Sequence, residues 1–136
     1  MWICPTCNRA FAKPNQGHTC TEVTVDDLFA RSADEVLLAF DRVLVATADL
    51  EPNYVGAAKR AVVFTKRTAW LIARPARAWL DVIVSFADQR HRAYVHRVRP
   101  HFSGKRYEHV VRLRREDDLT PEVTDFLRRA HAEAPA

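Results

Sequence analysis

Apolar and polar positions divide the chain into a helical front and a strand-rich middle. After residue 32, apolar residues recur three and four apart along one stripe of a helix that ends near Ala48: Val36, Leu37, Phe40, Val43, Leu44 and Thr47. We predict that this helix begins in a capping box formed by Ser32 and Glu35. A shorter helix is predicted before it, starting where Thr24 is followed by Asp27.

Beyond residue 60 the pattern changes to the two-residue period of strands, with many β-branched and aromatic residues. It predicts five strands, at 61–66, 69–74, 77–86, 93–99 and 107–114. Turn-like connections at 66–68 and 74–76 favour an antiparallel meander. A last helix is predicted from Pro121, capped by Thr120, with a buried stripe of Val123, Phe126, Leu127 and Ala130.

These elements predict an α+β fold in which helices cover one face of a mostly antiparallel sheet. Alternation places Tyr107, His109, Val111 and Leu113 inward in the last strand. In the strand at 77–86, Trp79, Asp81 and Ile83 alternate with Leu80, Val82 and Val84, and in the strand before it Trp70 and Ile72 lie opposite Leu71 and Ala73. The second sheet face is therefore free for a pocket or an interface.

All three cysteines lie in the first twenty residues. Cys4 and Cys7 form a CxxC pair, and His18 and Cys20 follow with the spacing C-x2-C-x10-H-x-C. Two such pairs complete the tetrahedral shell of a structural zinc ion, so we predict one Zn²⁺ per chain with no position open for catalysis. A disulfide with one odd cysteine, a redox CxxC and unliganded thiols are the alternatives.

The sequence thus predicts two units: a zinc knuckle at 1–20 and an α+β domain at 21–136. Twenty residues are too few to bury a core of their own, so metal binding would supply most of the knuckle's folding energy. Trp2, Ile3 and Phe11 are expected to dock the knuckle onto the larger domain.

The charge is divided along the chain. Residues 1–58 hold four Lys or Arg and eight Asp or Glu, hence −4, whereas residues 59–136 hold seventeen and nine, hence +8, which gives the net +4. A basic half favours nucleic acid, an anionic ligand or the acidic half of a second copy as partner. With 48% hydrophobic and 28% charged residues, disordered and fibrous classes are excluded, and without a long apolar run the chain is expected to be cytoplasmic and not membrane-bound.

Three functions follow from these features. The preferred hypothesis is a non-catalytic binding module for an anionic partner, nucleic acid or a phosphate-bearing ligand, in which aromatic and basic residues act together. The alternatives are a small-molecule pocket or enzyme built from Trp79, Asp81, His96 and His109 on the open sheet face, and a homodimer. Candidate ligand-binding residues are Lys66, Arg67, Trp70, Arg74, Arg77, Trp79, Asp81, His96, Tyr107 and His109.

Catalysis is disfavoured because the chain has three glycines, too few for a phosphate-binding loop, and no G-x-S-x-G element. The two histidines of the pocket hypothesis have a simpler interpretation, as semi-buried residues with local hydrogen bonds.

The first twenty residues, MWICPTCNRAFAKPNQGHTC, carry a family resemblance. The pattern W-x-C-P-x-C-x-R-x-F followed by N-Q-x-H-x-C resembles bacterial proteins with the uncharacterised DUF5655 domain, and segments 65–69, 78–81, 109–113 and 118–131 are similar to the same family. The resemblance implies that the four metal ligands form one unit and that the rest is a small α+β domain, but it supplies no activity. Asn8 stands where glycine is usual, and both residues tolerate a left-handed backbone.

Overall fold

The structure is a computed structural model that describes residues 1–18, 20 and 23–135. A short hairpin of β1 (Trp2–Ile3) and β2 (Ala10–Phe11) is followed by α1 (Val25–Phe29) and α2 (Asp34–Thr47). Six strands come next: β3 (Tyr54–Ala57), β4 (Val62–Thr65), β5 (Ala69–Pro75), β6 (Leu80–Phe86), β7 (Arg97–Pro100) and β8 (Tyr107–Leu113). A 3-10 helix (Glu116–Asp118) leads to α3 (Pro121–Glu133). The α+β class is confirmed.

The main sheet has the order β3-β4-β5-β6-β8-β7, with every neighbouring pair antiparallel. Two predictions about it are wrong. The sheet has six strands and not five, because the four-residue edge strand β3, with Tyr54 and Val55 exposed, has no alternation that reveals it. The last strands do not form a meander either, since β8 inserts between β6 and β7.

Two strands start later than expected. The prediction from 77 fails because residues 76–79 form a turn, in which Ala76 N–H donates to the Trp79 carbonyl at 2.8 Å, so β6 starts at Leu80. The prediction from 93 fails because the chain first carries Tyr94 toward α3, where its ring lies 5.3 Å from that of Phe126.

Two of the three predicted helix caps are present in the structure. Thr24 and Asp27 form the predicted capping box, and Thr120 accepts from Val123 N–H at the start of α3. The capping box at Ser32 is wrong, because Ala33 is the N-cap of α2 and makes no side-chain bond. The Ser32 hydroxyl instead donates to the Ala76 carbonyl at 2.7 Å, which ties the start of α2 to the turn between β5 and β6.

The core lies between the sheet and helices α2 and α3. Its largest fully buried side chains are Phe40, Phe64, Phe86, Leu71, Leu80, Leu113 and Leu127. Aromatic rings connect the layers: Phe40 of α2 meets Phe64 of β4 edge-on at 6.3 Å. Among the described residues, no helix has the length and apolar character needed to cross a bilayer.

Trp70 lies on the opposite face from the one that alternation predicts. Thr65 pairs with Ala69 and Phe64 pairs with Leu71, so Trp70 is an additional residue in the ladder and a β-bulge forms. The bulge turns Trp70 to the helix side, where its ring meets that of Phe64 at 6.0 Å and it is 3% exposed. Strand alternation assumes a regular ladder, and therefore it cannot predict this orientation.

Candidate metal centre and basic sheet face

The β1–β2 hairpin forms the knuckle that brings the first two cysteines together. Cys4 N–H donates to the Arg9 carbonyl at 2.9 Å, and Asn8 N–H donates to the Cys4 carbonyl at 2.8 Å. The tight turn requires a left-handed residue, and Asn8 supplies it with φ of 61°. Asn8 thus adopts the left-handed conformation for which glycine is usual.

The four predicted ligands converge on one point. Their ligand atoms all lie within 4.8 Å of one another. Cys4 Sγ is 3.7 Å from Cys20 Sγ, while His18 Nε2 is 3.2 Å from Cys7 Sγ and 3.3 Å from Cys20 Sγ. A tetrahedral zinc ion with Zn–S of about 2.3 Å holds two thiolates about 3.8 Å apart, so the spacing suits such an ion and is too long for a disulfide.

The His18 ring is oriented by its other nitrogen. Its Nδ1 lies 2.7 Å from the Gln16 carbonyl oxygen, which can only accept, and therefore Nδ1 carries the proton. The lone pair of Nε2 is then available to a metal, in the arrangement by which a backbone carbonyl commonly fixes a ligating imidazole. This is the second observation, after the clustering, that supports His18 as a ligand.

The thiols themselves favour a cation. Backbone N–H groups, that of Cys7 above all, lower the pKa of Cys4 to about 6. Its interaction with Cys4 is the main reason that the pKa of Cys20 is raised to about 11. Several thiolates in so small a space repel one another unless a divalent ion lies between them. The group is compatible with one metal ion such as zinc.

Aromatic rings surround the histidine of this group. Phe11 stacks on His18 at 4.1 Å, and Trp2 lies 6.0 Å from both rings. Trp2 and Phe11, which are expected to dock the knuckle onto the larger domain, thus also pack within the knuckle. Ile3 is 45% exposed. The knuckle also approaches the larger domain at Gly56 of β3, where a Cβ atom would lie 3.4 Å from Arg9 Cγ.

The sheet face away from the helices carries arginines in register. One row across the strands contains Arg74, Asp81 and Arg112, a second contains Ile72, Ile83, Val110 and Arg97, and a third contains Ser85, Glu108 and Arg99. We call these residues the basic face. It holds four arginines and two carboxylates.

Two ion pairs order part of the basic face. Asp81 accepts two bonds from Arg112, at 2.9 and 3.2 Å, and Glu108 accepts one from Arg99 at 2.8 Å. Arg74 and Arg97 are exposed and form no ion pair with a described residue. The excess positive charge therefore lies on side chains that solvent or a partner can reach.

Some predicted ligand-binding residues do lie on or beside the basic face. Trp79 lies under the Arg112 guanidinium at 4.1 Å, and Arg74, paired with Asp81 in register, is exposed. Arg77 is exposed in the turn before β6. Arg67 is exposed in the predicted turn at 66–68, where Lys66 N–H donates to the Thr68 carbonyl.

Other predicted residues have structural roles instead. Lys66 Nζ donates to the carbonyls of His131 and Ala134, at 2.8 and 3.4 Å, and so caps the end of α3. Trp70 Nε1 donates to Asn53 Oδ1 at 3.0 Å within the core. Tyr107 is half-buried, and its carbonyl accepts from His109 Nδ1 at 3.0 Å.

The predicted small-molecule pocket is wrong. Trp79 and Asp81 lie on the basic face, whereas His109 is fully buried on the helix side, edge-on to Phe86 at 5.2 Å. The residues therefore point to opposite sides of the sheet. A groove of about 600 Å³ beside β8 includes His96 but none of the other three, and acidic and basic groups line it together.

The prediction missed Arg97, Arg99 and Arg112 as members of the positive surface. The two-residue spacing of Arg97 and Arg99 places them on one face of their strand, but arginines on a strand are common and carry a weaker signal than aromatic residues. It also missed Phe102, an apolar residue in the polar link between β7 and β8, which is 97% exposed. A single aromatic residue in a turn does not by itself indicate a binding site.

Fold and site together define a small α+β domain with an N-terminal Cys3His group. Residues 25–133 match the family described as "Domain of unknown function (DUF5655)", and the chain belongs to that family. The metal-ligand group lies N-terminal to the matched residues, in the segment that carries the most specific part of the resemblance. No curated protein and no solved structure matches the chain.

Proposed function

We propose that this protein is a zinc-stabilised, non-catalytic module that binds nucleic acid on its basic face. The observation that carries this proposal is the register of four arginines, Arg74, Arg97, Arg99 and Arg112, on the sheet face away from the helices, whose rows hold only two carboxylates. Arginine is suited to phosphate because its planar fork donates two parallel hydrogen bonds.

The chemistry of the face favours nucleic acid over a small phosphate compound. The arginines are spread over three strands, β5, β7 and β8, and the groove beside β8 is lined by only one of them, Arg112. A polyanion can contact such a distributed set at several phosphates at once. Trp79, in the turn just before β6, adds an aromatic surface beside Arg112, as in proteins that combine phosphate contacts with stacking.

The zinc ion is proposed as structural, with one ion per chain. Three thiolates and one imidazole fill a tetrahedral shell and leave no position for a reacting water. Elemental analysis of the purified protein is expected to give about one zinc per chain. Cobalt substitution should produce the absorption bands of tetrahedral thiolate coordination. His18→Ala should lose both signals and the exposed control His96→Ala should retain them, whereas folded, metal-free wild-type protein would refute the proposal.

The nucleic-acid proposal is tested by fluorescence anisotropy with labelled single-stranded and duplex oligonucleotides at several salt concentrations. Binding should weaken linearly in a plot of log K against log salt, with a slope of about −0.7 for each phosphate neutralised on a single strand. Arg97→Ala should reduce that slope by about 0.7. Arg129→Ala on α3, an exposed arginine on the helix side, is the matched control and should leave the slope unchanged. Absence of binding at low salt would overturn the proposal.

A further inference from the structure

Phe102 is the most exposed large hydrophobic side chain among the described residues, at 97% of its free surface. It lies at the tip of the β7–β8 hairpin. Burial of a phenylalanine side chain stabilises a protein by roughly 1.5–3 kcal/mol, and folding gains none of that here. The ring is therefore fully available to a partner.

The turn that carries Phe102 is held in one shape. His101 N–H donates to the Arg106 carbonyl at 2.8 Å, and Gly104 N–H donates back to the His101 carbonyl at 2.9 Å. Gly104 has φ of 72°, a conformation that suits glycine. The His101 ring, which accepts from Ser103 N–H at 3.2 Å, lies against one side of Phe102 at 4.1 Å. The turn thus holds the Phe102 ring beside His101 while leaving it almost fully exposed, so the ring is preorganised for contact.

Positive side chains continue from the basic face to this tip. Arg97 and Arg99 of β7 belong to the basic face by register. Arg106 joins the same side, since its Nε donates to Ser85 Oγ at 3.2 Å. Lys105 is exposed in the turn beside Phe102. A phosphate backbone that follows the hairpin would thus meet cations along its path and an aromatic ring at its end.

We propose that Phe102 is a stacking platform for an unpaired base, and that the nucleic acid bound by this protein is single-stranded. This rests on the proposed function of the basic face and names its substrate class. A stacked base needs a free face, which a paired strand does not offer without unstacking. The sheet also disfavours duplex, because six strands at about 4.8 Å spacing are roughly 24 Å wide, against about 12 Å for the major groove.

The tip is poorly suited to a membrane. Phe102 is its single apolar side chain, and its turn neighbours are Ser103, Gly104 and Lys105. One aromatic ring with polar neighbours gives little insertion, whereas one ring suffices to stack one base.

The test compares four proteins for binding to a labelled single-stranded oligonucleotide: wild type, Phe102→Ala, Phe102→Tyr and Val45→Ala. Loss of one stacked base should weaken Phe102→Ala by about 5- to 100-fold, without change in the salt slope. Phe102→Tyr keeps a ring and should bind within about 3-fold of wild type. Val45, which is 73% exposed on α2, is the matched apolar truncation and should have no effect. Unfolding midpoints should be the same for all four, because neither site is packed.

The outcomes separate this inference from the proposed function. If wild type binds and Phe102→Ala binds equally well, the stacking role is overturned and the basic face remains. If wild type binds no oligonucleotide, the proposed function itself fails. Tighter binding to duplex than to single strand overturns the substrate class. Binding to phosphatidylserine vesicles that depends on Phe102, without oligonucleotide binding, assigns the tip to membranes and also overturns the inference.

Discussion

His109 is buried in a form that can only be neutral. Its Nδ1 lies 3.0 Å from the Tyr107 carbonyl oxygen and must donate, while its Nε2 accepts from Arg90 N–H at 2.9 Å. A second proton on Nε2 would face the N–H of Arg90 and lose that bond. Acid is therefore expected to destabilise the domain through this one residue.

The direction of the His109 pKa shift determines whether stability rises or falls with pH. Burial lowers the pKa of His109, with smaller contributions from the Arg90 and His91 side chains, while the Tyr107 carbonyl and the Asp88 carboxylate oppose it. In the unfolded chain the pKa returns to about 6.5, so below that pH the unfolded state binds a proton that the folded state does not. Stability is then complete above about pH 6.5 and falls as the pH drops toward the lowered pKa of the folded state.

The loss of stability is limited because the folded and unfolded states differ by at most one bound proton at His109. A difference of one bound proton changes the free energy of unfolding by about 1.4 kcal/mol per pH unit, so the loss between pH 7.5 and 5.5 is up to about 1.4 kcal/mol. The perturbation is His109→Gln, which keeps a hydrogen-bonding side chain that does not titrate. It should cost about 1–3 kcal/mol at pH 7.5, since a partner of His109 is left imperfectly satisfied.

The assay is urea unfolding at pH 7.5, 6.5 and 5.5, followed by tryptophan fluorescence. Wild type should lose stability on acidification faster than His109→Gln, and any loss that comes from the metal ligands is common to both proteins and cancels in the difference. The NMR signals of the His109 ring should also titrate at a lower pH than those of a free imidazole, because its pKa is lowered. Parallel pH profiles for the two proteins would refute the reasoning.

Two further predictions concern charged side chains. Asp81→Asn frees the Arg112 guanidinium on the basic face, so oligonucleotide affinity and its salt slope should both increase while urea unfolding shows a loss of about 0.5–1 kcal/mol; weaker binding would contradict this. Lys66→Met removes the donor that caps α3 and should lower the free energy of unfolding by about 1 kcal/mol, whereas the exposed control Lys59→Met should change it by less than about 0.5 kcal/mol. Equal effects of the two lysine variants would exclude the capping role.

The sequence predicts best the features that depend on local chemistry. The Thr24 capping box, the Thr120 cap with Pro121 and the four clustered metal ligands each rest on residues close in sequence that hydrogen-bond one another or bring possible ligand atoms together. Such patterns need no knowledge of the sheet order.

The predictions that are wrong concern residues whose partners are distant in the chain. The Ser32 hydroxyl bonds a carbonyl 44 residues away, and Lys66 reaches carbonyls more than 60 residues away, so neither role is visible in a local pattern. The insertion of β8 between β6 and β7 likewise depends on which strands pair with each other, and the sequence of each strand by itself does not determine that. Trp70 fails for a third reason, since a single bulge reverses its face.

The two edges of the sheet are protected against strand addition in different ways. Loss of the metal is therefore expected to affect self-association and oligonucleotide binding differently. Both edge strands are four residues long, but the β7 edge also carries Arg97, Arg99 and a proline without an N–H, which discourage strand addition. The β3 edge has Tyr54 and Val55 exposed, and the knuckle packs beside it at Gly56.

A hairpin with two residues per strand is not stable alone, so removal of the metal should unfold the knuckle and uncover β3. We therefore expect a strong chelator to cause self-association, seen by light scattering, while oligonucleotide affinity at the distant β7–β8 hairpin changes by less than about 3-fold. Loss of binding in a protein that stays monomeric would place the metal centre in the binding surface, because only a direct contact could then link the two.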